Sequence, residues 1–312
     1  MTALVCGSYA YDTIMVFDGR FKDQIMPDRV HMLNVAFLVP RLRREFGGTA
    51  GNIAYNLKLL GGDGIPMATV GETDFLPYEG WLEEQGIDDR YVRRVPGEYT
   101  AQAYITTDMD DNQITAFHPG AMNQSHSQAV PADAGITLGV IAPDGRDGML
   151  QHAEQFAEAG IPFLFDPGQG LPMFNGEELL AFVDKAKWVA VNDYEAGMLE
   201  DRTGLDRDAL AERVEALIIT RGAEGSLILA NGETHEVEAV KPEAVNDPTG
   251  CGDAYRAGLL FGLMNEFDWL TTGRVASLMG SIKVAEHGTQ NHRFDRDEFR
   301  ARFRKAFGYD FG

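Results

Sequence analysis

Strand-like and helix-like segments alternate along most of this 312-residue chain. That alternation predicts an α/β fold, a doubly wound and mostly parallel sheet covered by helices on both faces. Two further observations agree with it. The polar and glycine-rich runs that look functional fall just after predicted strands, where open α/β sheets bind their ligands. No internal repeat or low-complexity segment interrupts the pattern.

Taken in order, Ala3-Leu4-Val5-Cys6 is a short apolar run ending in Gly7 and reads as a buried first strand. From about residue 13 to residue 44 the pattern changes. Ile14-Met15-Val16-Phe17, a charged stretch, and Val35-Ala36-Phe37-Leu38-Val39 read as a strand-like pair. After it, Ile53, Ala54, Leu57 and Leu60 follow at helical spacing, and Gly61-Gly62 ends that helix. A strand is predicted at 65–70. A second strand-like pair lies at 100–107 and 113–117, joined by the turn signal Asp108-Met109-Asp110-Asp111-Asn112. Strands at 137–142, 162–165, 188–191 and 217–220 then alternate with helices at 148–159, 176–185 and 208–214.

Composition narrows the class. A hydrophobic share of 44% suits a globular chain with a real core. No apolar run approaches the length of a membrane span, and the N-terminus lacks the basic start of a signal peptide, so a cytoplasmic location and no membrane partner are expected. Of the two cysteines, Cys6 is in the first strand and Cys251 in a glycine-rich loop, which argues against a structural disulfide. With 27 basic against 48 acidic residues the net charge is −21, and such a surface repels nucleic acid. It reads as a well-solvated surface or as adaptation to a salty cytoplasm.

The most informative run is Asp247-Pro248-Thr249-Gly250-Cys251-Gly252-Asp253-Ala254, which opens a helix. Glycines let backbone N–H groups approach a ligand, and the first turn of a helix has unpaired donors at the positive end of its dipole. Together they form a phosphate site. Asp253 stands beside it as a general base for an attacking hydroxyl, a role compatible with capping the helix. Gly250, Cys251 and Gly252 are expected to donate N–H groups to the transferred phosphoryl group. A thiol at a helix N-terminus tends to a lowered pKa, so Cys251 is expected to be reactive.

This octapeptide resembles the C-terminal signature of the ribokinase/PfkB family, D-T-x-G-A-G-D-A, with Pro248 in place of Thr and Cys251 in place of Ala. Gly47-Gly48-Thr49-Ala50-Gly51-Asn52 matches the family's N-terminal G-G-x-x-x-N, about 200 residues upstream. The resemblance covers nearly the whole chain. It implies a single ribokinase-like domain with a small β-sheet lid, formed by insertions at about 13–44 and 98–120. It also implies ATP and Mg²⁺, with K⁺ as an optional monovalent ion, in a monomer or homodimer.

The resemblance implies further roles. Asn192-Asp193-Tyr194-Glu195 is similar to the family's N-x-x-E, in which Asn192 and Glu195 help hold Mg²⁺ through water; by spacing alone the pair is a capping box. Thr220-Arg221-Gly222 resembles an element near the nucleotide phosphates, or is an ordinary turn. Asp12 matches a position that binds substrate hydroxyls, with Gly48 and Asn52 completing a polar floor. Asn291, in the tail at 285–292, is placed near the nucleotide or a monovalent ion. His287 and His292 are not read as metal ligands, because no cysteine or third histidine lies near. The family's V-G-x-D slips by one residue here, so Asp74 is left unassigned.

The function expected is an ATP-dependent kinase phosphorylating the primary hydroxyl of a nucleoside, adenosine above others, because FGGTAGNIAYNLKLLGG, DPGQGLPMF and VNDYE look like bacterial adenosine kinase-like members. A ribokinase-like sugar kinase is the alternative. A non-catalytic nucleotide- or sugar-sensing protein of the same fold is the alternative of another class. Phe37 and Phe117 are first candidates for stacking on a purine, against the blander role of filling the lid's own core.

Overall fold

The computed structural model describes residues 1–25, 32, 34–110 and 112–311. Part of the first lid insertion (26–31 and 33) and Asp111 of the predicted turn lie outside the described residues.

The strands are β1 (Thr2–Cys6), β2 (Ala10–Val16), β3 (Arg41–Gly47), β4 (Asp63–Gly71), β5 (Tyr91–Val95), β6 (Ala101–Thr107), β7 (Gln113–His118), β8 (Leu138–Ile141), β9 (Phe163–Phe165), β10 (Trp188–Asn192), β11 (Ala216–Thr220), β12 (Ser226–Ala230) and β13 (Glu233–Val237). The helices are α1 (Phe21–Gln24), α2 (Thr49–Leu59), α3 (Leu76–Gln85), α4 (Arg146–Glu158), α5 (Gly176–Lys185), α6 (Asp193–Thr203), α7 (Arg207–Ala211), α8 (Cys251–Met264), α9 (Trp269–Val284) and α10 (Arg296–Phe307).

The large sheet has the order β13-β12-β11-β10-β9-β8-β1-β4-β5 and is parallel from β5 through β11. From β1 the chain moves outward through β4 and β5, then returns to β8 on the other side of β1 and proceeds the opposite way. That reversal makes the carboxyl ends of β1 and β8 a switch point, where such sheets leave a crevice. One face packs against α2, α8, α9 and α10, with Ile53, Leu57, Ala257 and Leu260 buried between helices and sheet. Met149, Phe156, Leu179 and Phe182 of α4 and α5 cover the other face. Both faces are covered, so the central strands are continuously apolar: β8 reads LGVI with every residue buried.

The second sheet, the lid, has the order β3-β2-β6-β7. Here the sequence reading needs a correction. Residues 35–39 form no strand; the strand is β3, displaced to Arg41–Gly47. The seven residues of β2 find their antiparallel partners at 41–47, from Ala10 opposite Gly47 to Val16 opposite Arg41, which leaves 35–39 beyond the partner strand. Pro40, lacking an N–H, stands at the boundary. The hairpin β12–β13 was not anticipated, although Asn231-Gly232, both at positive φ (54° and 76°), is the two-residue turn signal for one.

Candidate active site

Two helix N-termini converge at the crevice. Gly48 precedes α2 with φ 90°, and a Cβ there would lie 2.5 Å from the Ser8 carbonyl, so only glycine fits. Gly250 precedes α8 with φ 77°, in the left-handed region that glycine enters freely. In the first turn of α8, Cys251 N–H donates to the Pro248 carbonyl (3.1 Å) and Ala254 N–H to Gly250 (3.0 Å). Among the described residues nothing accepts from Gly250, Gly252 and Asp253 N–H, so these three amides are the donors left for an anion. Of the three residues expected to donate, Cys251 thus has its N–H committed to the loop itself.

Asp253 and Asn52 come from the first turns of α8 and α2, about 200 residues apart, yet Asn52 Nδ2 donates to Asp253 Oδ2 at 2.7 Å. Burial pushes the Asp253 carboxyl up to about 7; the Asn52 hydrogen bond and Arg256 pull it down, and the charges of Asp166 and Asp12 push it further up. A carboxyl so placed changes protonation near neutrality, as a general base does.

Beside these helix ends lies a cleft of about 790 Å³. Its walls include Gly250 and the first turn of α8 (Cys251, Gly252 and Asp253), Asn192 and Glu195 where β10 passes into α6, and Thr220 and Gly222 at and just past the end of β11. Asn192 and Glu195 do form a capping box on α6: Asn192 Oδ1 accepts from Glu195 N–H and Glu195 Oε2 accepts from Asn192 N–H, both at 2.8 Å. One Glu195 oxygen remains for the cleft, and burial raises that carboxyl above its ordinary value. Arg221 is not part of the cleft wall; its guanidinium turns back onto the Glu224 carbonyl (3.3 Å).

Sequence reasoning missed the ion pair at the cleft floor. Arg256 Nη2 donates to Asp166 Oδ1 at 2.9 Å, and both side chains are buried. The available signal was an arginine inside the otherwise apolar run Ala254-Tyr255-Arg256-Ala257-Gly258, which has to be paired if it faces the sheet. Lys283 was missed as well. Its ammonium is fully buried and donates to the carbonyls of Asp247 (2.7 Å) and Glu286 (3.1 Å), tying the loop before α8 to the tail.

On the lid side, Asp12 sits on β2, its carboxyl raised to about 6 by burial and by the charges of Asp247 and Glu45. Asn291 does not line the cleft. Its Nδ2 donates to Glu45 Oε2 and to the His287 carbonyl, both at 2.9 Å. Phe37 packs against Phe17 and Phe21, each with ring centroids 5.0 Å away, in the lid's own core. Phe117 on β7 is 53% exposed. Asp74 accepts from Thr100 N–H and Oγ, anchoring the start of β6.

The expectation of a reactive Cys251 is corrected. Burial raises its thiol to about 11, and although Lys283 lowers it, Asp247 and Asp253 add to the rise. Desolvation of a thiolate here outweighs the helix dipole. Cys251 is therefore expected to alkylate at pH 7.5 roughly a hundredfold or more slowly than free cysteine, whose pKa is about 8.5. Cys251→Ala should keep its activity. Labelling as fast as a free thiol, followed by mass spectrometry, would contradict this.

A glycine-rich loop with free N–H donors at a helix start, a carboxyl raised toward neutral pH and a small sheet at the crevice fit a phosphotransferase that acts on a hydroxyl group. A family model described as pfkB family carbohydrate kinase matches residues 12–295, and the chain belongs to that family. Its fold is ribokinase-like. The chain is 53% identical to a nucleoside kinase of Burkholderia thailandensis solved in complex with inosine, with a TM-score of 0.90 and 99% of both chains covered. It is 30% identical to the solved nucleoside kinase of Methanocaldococcus jannaschii, an archaeal member of the ribokinase family, with a TM-score of 0.89 and coverage of 98% and 99%. A nucleoside kinase of Methanothermobacter thermautotrophicus is 32% identical over 281 residues, 89% of this chain and 90% of the relative.

Proposed function

We propose that the protein is an ATP-dependent nucleoside kinase that phosphorylates a primary, 5′-type hydroxyl, with adenosine among its acceptors. The observation that carries this reading is a row of residues across the lid. Glu45, Asp12, Ala103 and Phe117 are register partners on β3, β2, β6 and β7, so their side chains share one face. On this reading that face turns toward Asp253, and the Asp12 charge adds to the rise of the Asp253 carboxyl. Phe117 stands two strands from Asp12, roughly 10 Å away at ordinary strand spacing. A carboxylate for a sugar diol at one end and an exposed ring at the other match a nucleoside's sugar and base. A bare pentose leaves the ring unused. The inosine-bound relative supports the same reading.

In the reaction, Asp253 takes the proton of the attacking hydroxyl while Gly250, Gly252 and Asp253 N–H stabilise charge on the transferred phosphoryl group. Asp12 orients the acceptor, and the lid excludes water. Asn192 and the uncommitted oxygen of Glu195 suit Mg²⁺ held through water, being hard oxygen donors and few in number. Among the described residues no three His, Cys, Asp or Glu side chains are grouped to hold a metal directly. Mg²⁺ would neutralise charge on the phosphates. For K⁺ the resemblance is the only support, and Lys283 already places a positive charge behind the α8 loop.

Stacking of a base on an aromatic platform is worth about 1–3 kcal/mol, and 1.4 kcal/mol is tenfold. With ATP as donor, kcat/KM for adenosine or inosine should exceed that for ribose by at least about tenfold. Phe117→Ala should raise the KM for the nucleoside more than that for ATP. Ribose as the better acceptor would replace this reading with the sugar kinase. ATP consumption with none of a nucleoside and sugar panel would favour the non-catalytic sensor.

A further inference from the structure

We propose that Gln290, held by Trp81 and Tyr78, is a positioning residue that fixes which end of the Asn52 amide faces Asp253. The proposal rests on Asp253 being the base. A side-chain amide has a donating and an accepting end of almost the same shape, so Asn52 has two orientations that packing alone barely distinguishes. Only one presents NH₂ to the carboxylate.

The choice is dictated from outside the cleft. Trp81 Nε1, which can only donate, gives its hydrogen to Gln290 Oε1 at 2.9 Å. Gln290 must therefore turn its NH₂ the other way. A second anchor requires the same orientation: the single hydroxyl proton of Tyr78 goes to the Gly47 carbonyl (2.9 Å), so the Tyr78 oxygen accepts from Gln290 Nε2 (2.6 Å). The same Nε2 donates to Asn52 Oδ1 at 2.9 Å, which leaves Asn52 Nδ2 for Asp253 Oδ2. Gln290 is 1% exposed and Tyr78 fully buried, so water does not compete for these groups. Burial holds the Tyr78 hydroxyl in its neutral form, well above its ordinary pKa. A donated hydrogen bond favours the ionised carboxylate and leaves Oδ1 of Asp253 free to take a proton. The other charged groups facing Asp253 are Asp166 and Asp12, which oppose ionisation, and Arg256, which favours it. Glu195 lies beyond Arg256 in the same cluster.

Three distant segments, in α2, in α3 and in the tail beyond α9, thus act on one proton. Trp81 also stacks on Phe46, with ring centroids 5.5 Å apart, which holds the indole in place.

The test is the pH dependence of kcat/KM for adenosine phosphorylation. Gln290→Met removes the relay and frees the Asn52 amide to turn over. The acidic limb should move up by about one pH unit, because losing a donated hydrogen bond disfavours the ionised carboxylate. Below the limb that is about a tenfold loss. Gln290→Glu still accepts from Trp81 but presents an acceptor to Asn52, so it should move the limb at least as far; it covers the case in which Gln290→Met fails to fold. In an Asn52→Ala background, Gln290→Met should move the limb no further. A limb unmoved in both Gln290 variants, while it vanishes in Asp253→Asn, overturns the relay and leaves the base reading intact. A limb that persists in Asp253→Asn overturns both. A merely structural role for Gln290 would lower stability and leave the limb where it is.

Discussion

Asp253→Asn is expected to lower kcat by ~10²–10⁴, the usual share of a general base, with little change in affinity for ATP. The side chains are nearly isosteric, and an asparagine at 253 can still accept from Asn52, so the fold should be kept. The wild-type pH profile supplies the sign. The carboxyl is raised to about 7, so below that pH it holds a proton and cannot accept another. Activity should fall as pH drops through about 7 and level off above it. Stability runs the other way. The folded pKa lies above the unfolded value of about 3.9, so ionising this buried group costs stability, fully avoided below pH ~4 and incurred as pH rises through about 7. Asp253→Asn should therefore be at least as stable as the wild type at pH 8 while being nearly inactive. Steady-state kinetics and thermal melts on the same samples check both; near-wild-type turnover would remove Asp253 from the chemistry.

The second large effect concerns Arg256. Arg256→Met leaves the Asp166 carboxylate buried with its ion partner gone, and breaking a buried pair from one side costs about 3–5 kcal/mol. Urea denaturation at pH 7.5 should show that loss. Adding Asp166→Asn in the Arg256→Met background should recover part of it, because the orphaned charge is then gone. A loss below about 1 kcal/mol would mean that water reaches Asp166 freely, contrary to its burial. Turnover should also fall, since the pair floors the cleft next to Asp253.

Much of the site was legible one residue at a time. Gly48 and Gly250 mark positions where positive φ is required, and a glycine-rich loop opening a helix has few physical uses other than holding an anion. The capping box at Asn192 and Glu195 was readable from a three-residue spacing because it is local. Local rules also misled. The helix-terminus rule lowers the Cys251 thiol, whereas burial, which depends on what packs around α8, raises it. A run of apolar residues at 35–39 looked like a strand, but a strand exists only where a partner runs beside it, and β2 pairs with 41–47. Phe37 and Phe117 were indistinguishable as exposed-or-core aromatics until the lid put one ring among Phe17 and Phe21 and left the other bare.

The sequence by itself determined the alternation of strands and helices, the glycine-rich loop that opens α8, the carboxylate beside it and the family, because each depends on short-range backbone geometry or on contiguous residue order. Only the tertiary structure decided which residues meet. Asn52 reaches Asp253, Arg256 reaches Asp166, and Trp81 orients an amide on Gln290, across 201, 90 and 209 residues of chain. No spacing rule spans such separations. The protonation of Asp253 and the polarity of its neighbours are set by burial and by hydrogen bonds from at least three segments, and those quantities exist only once the chain has closed on itself.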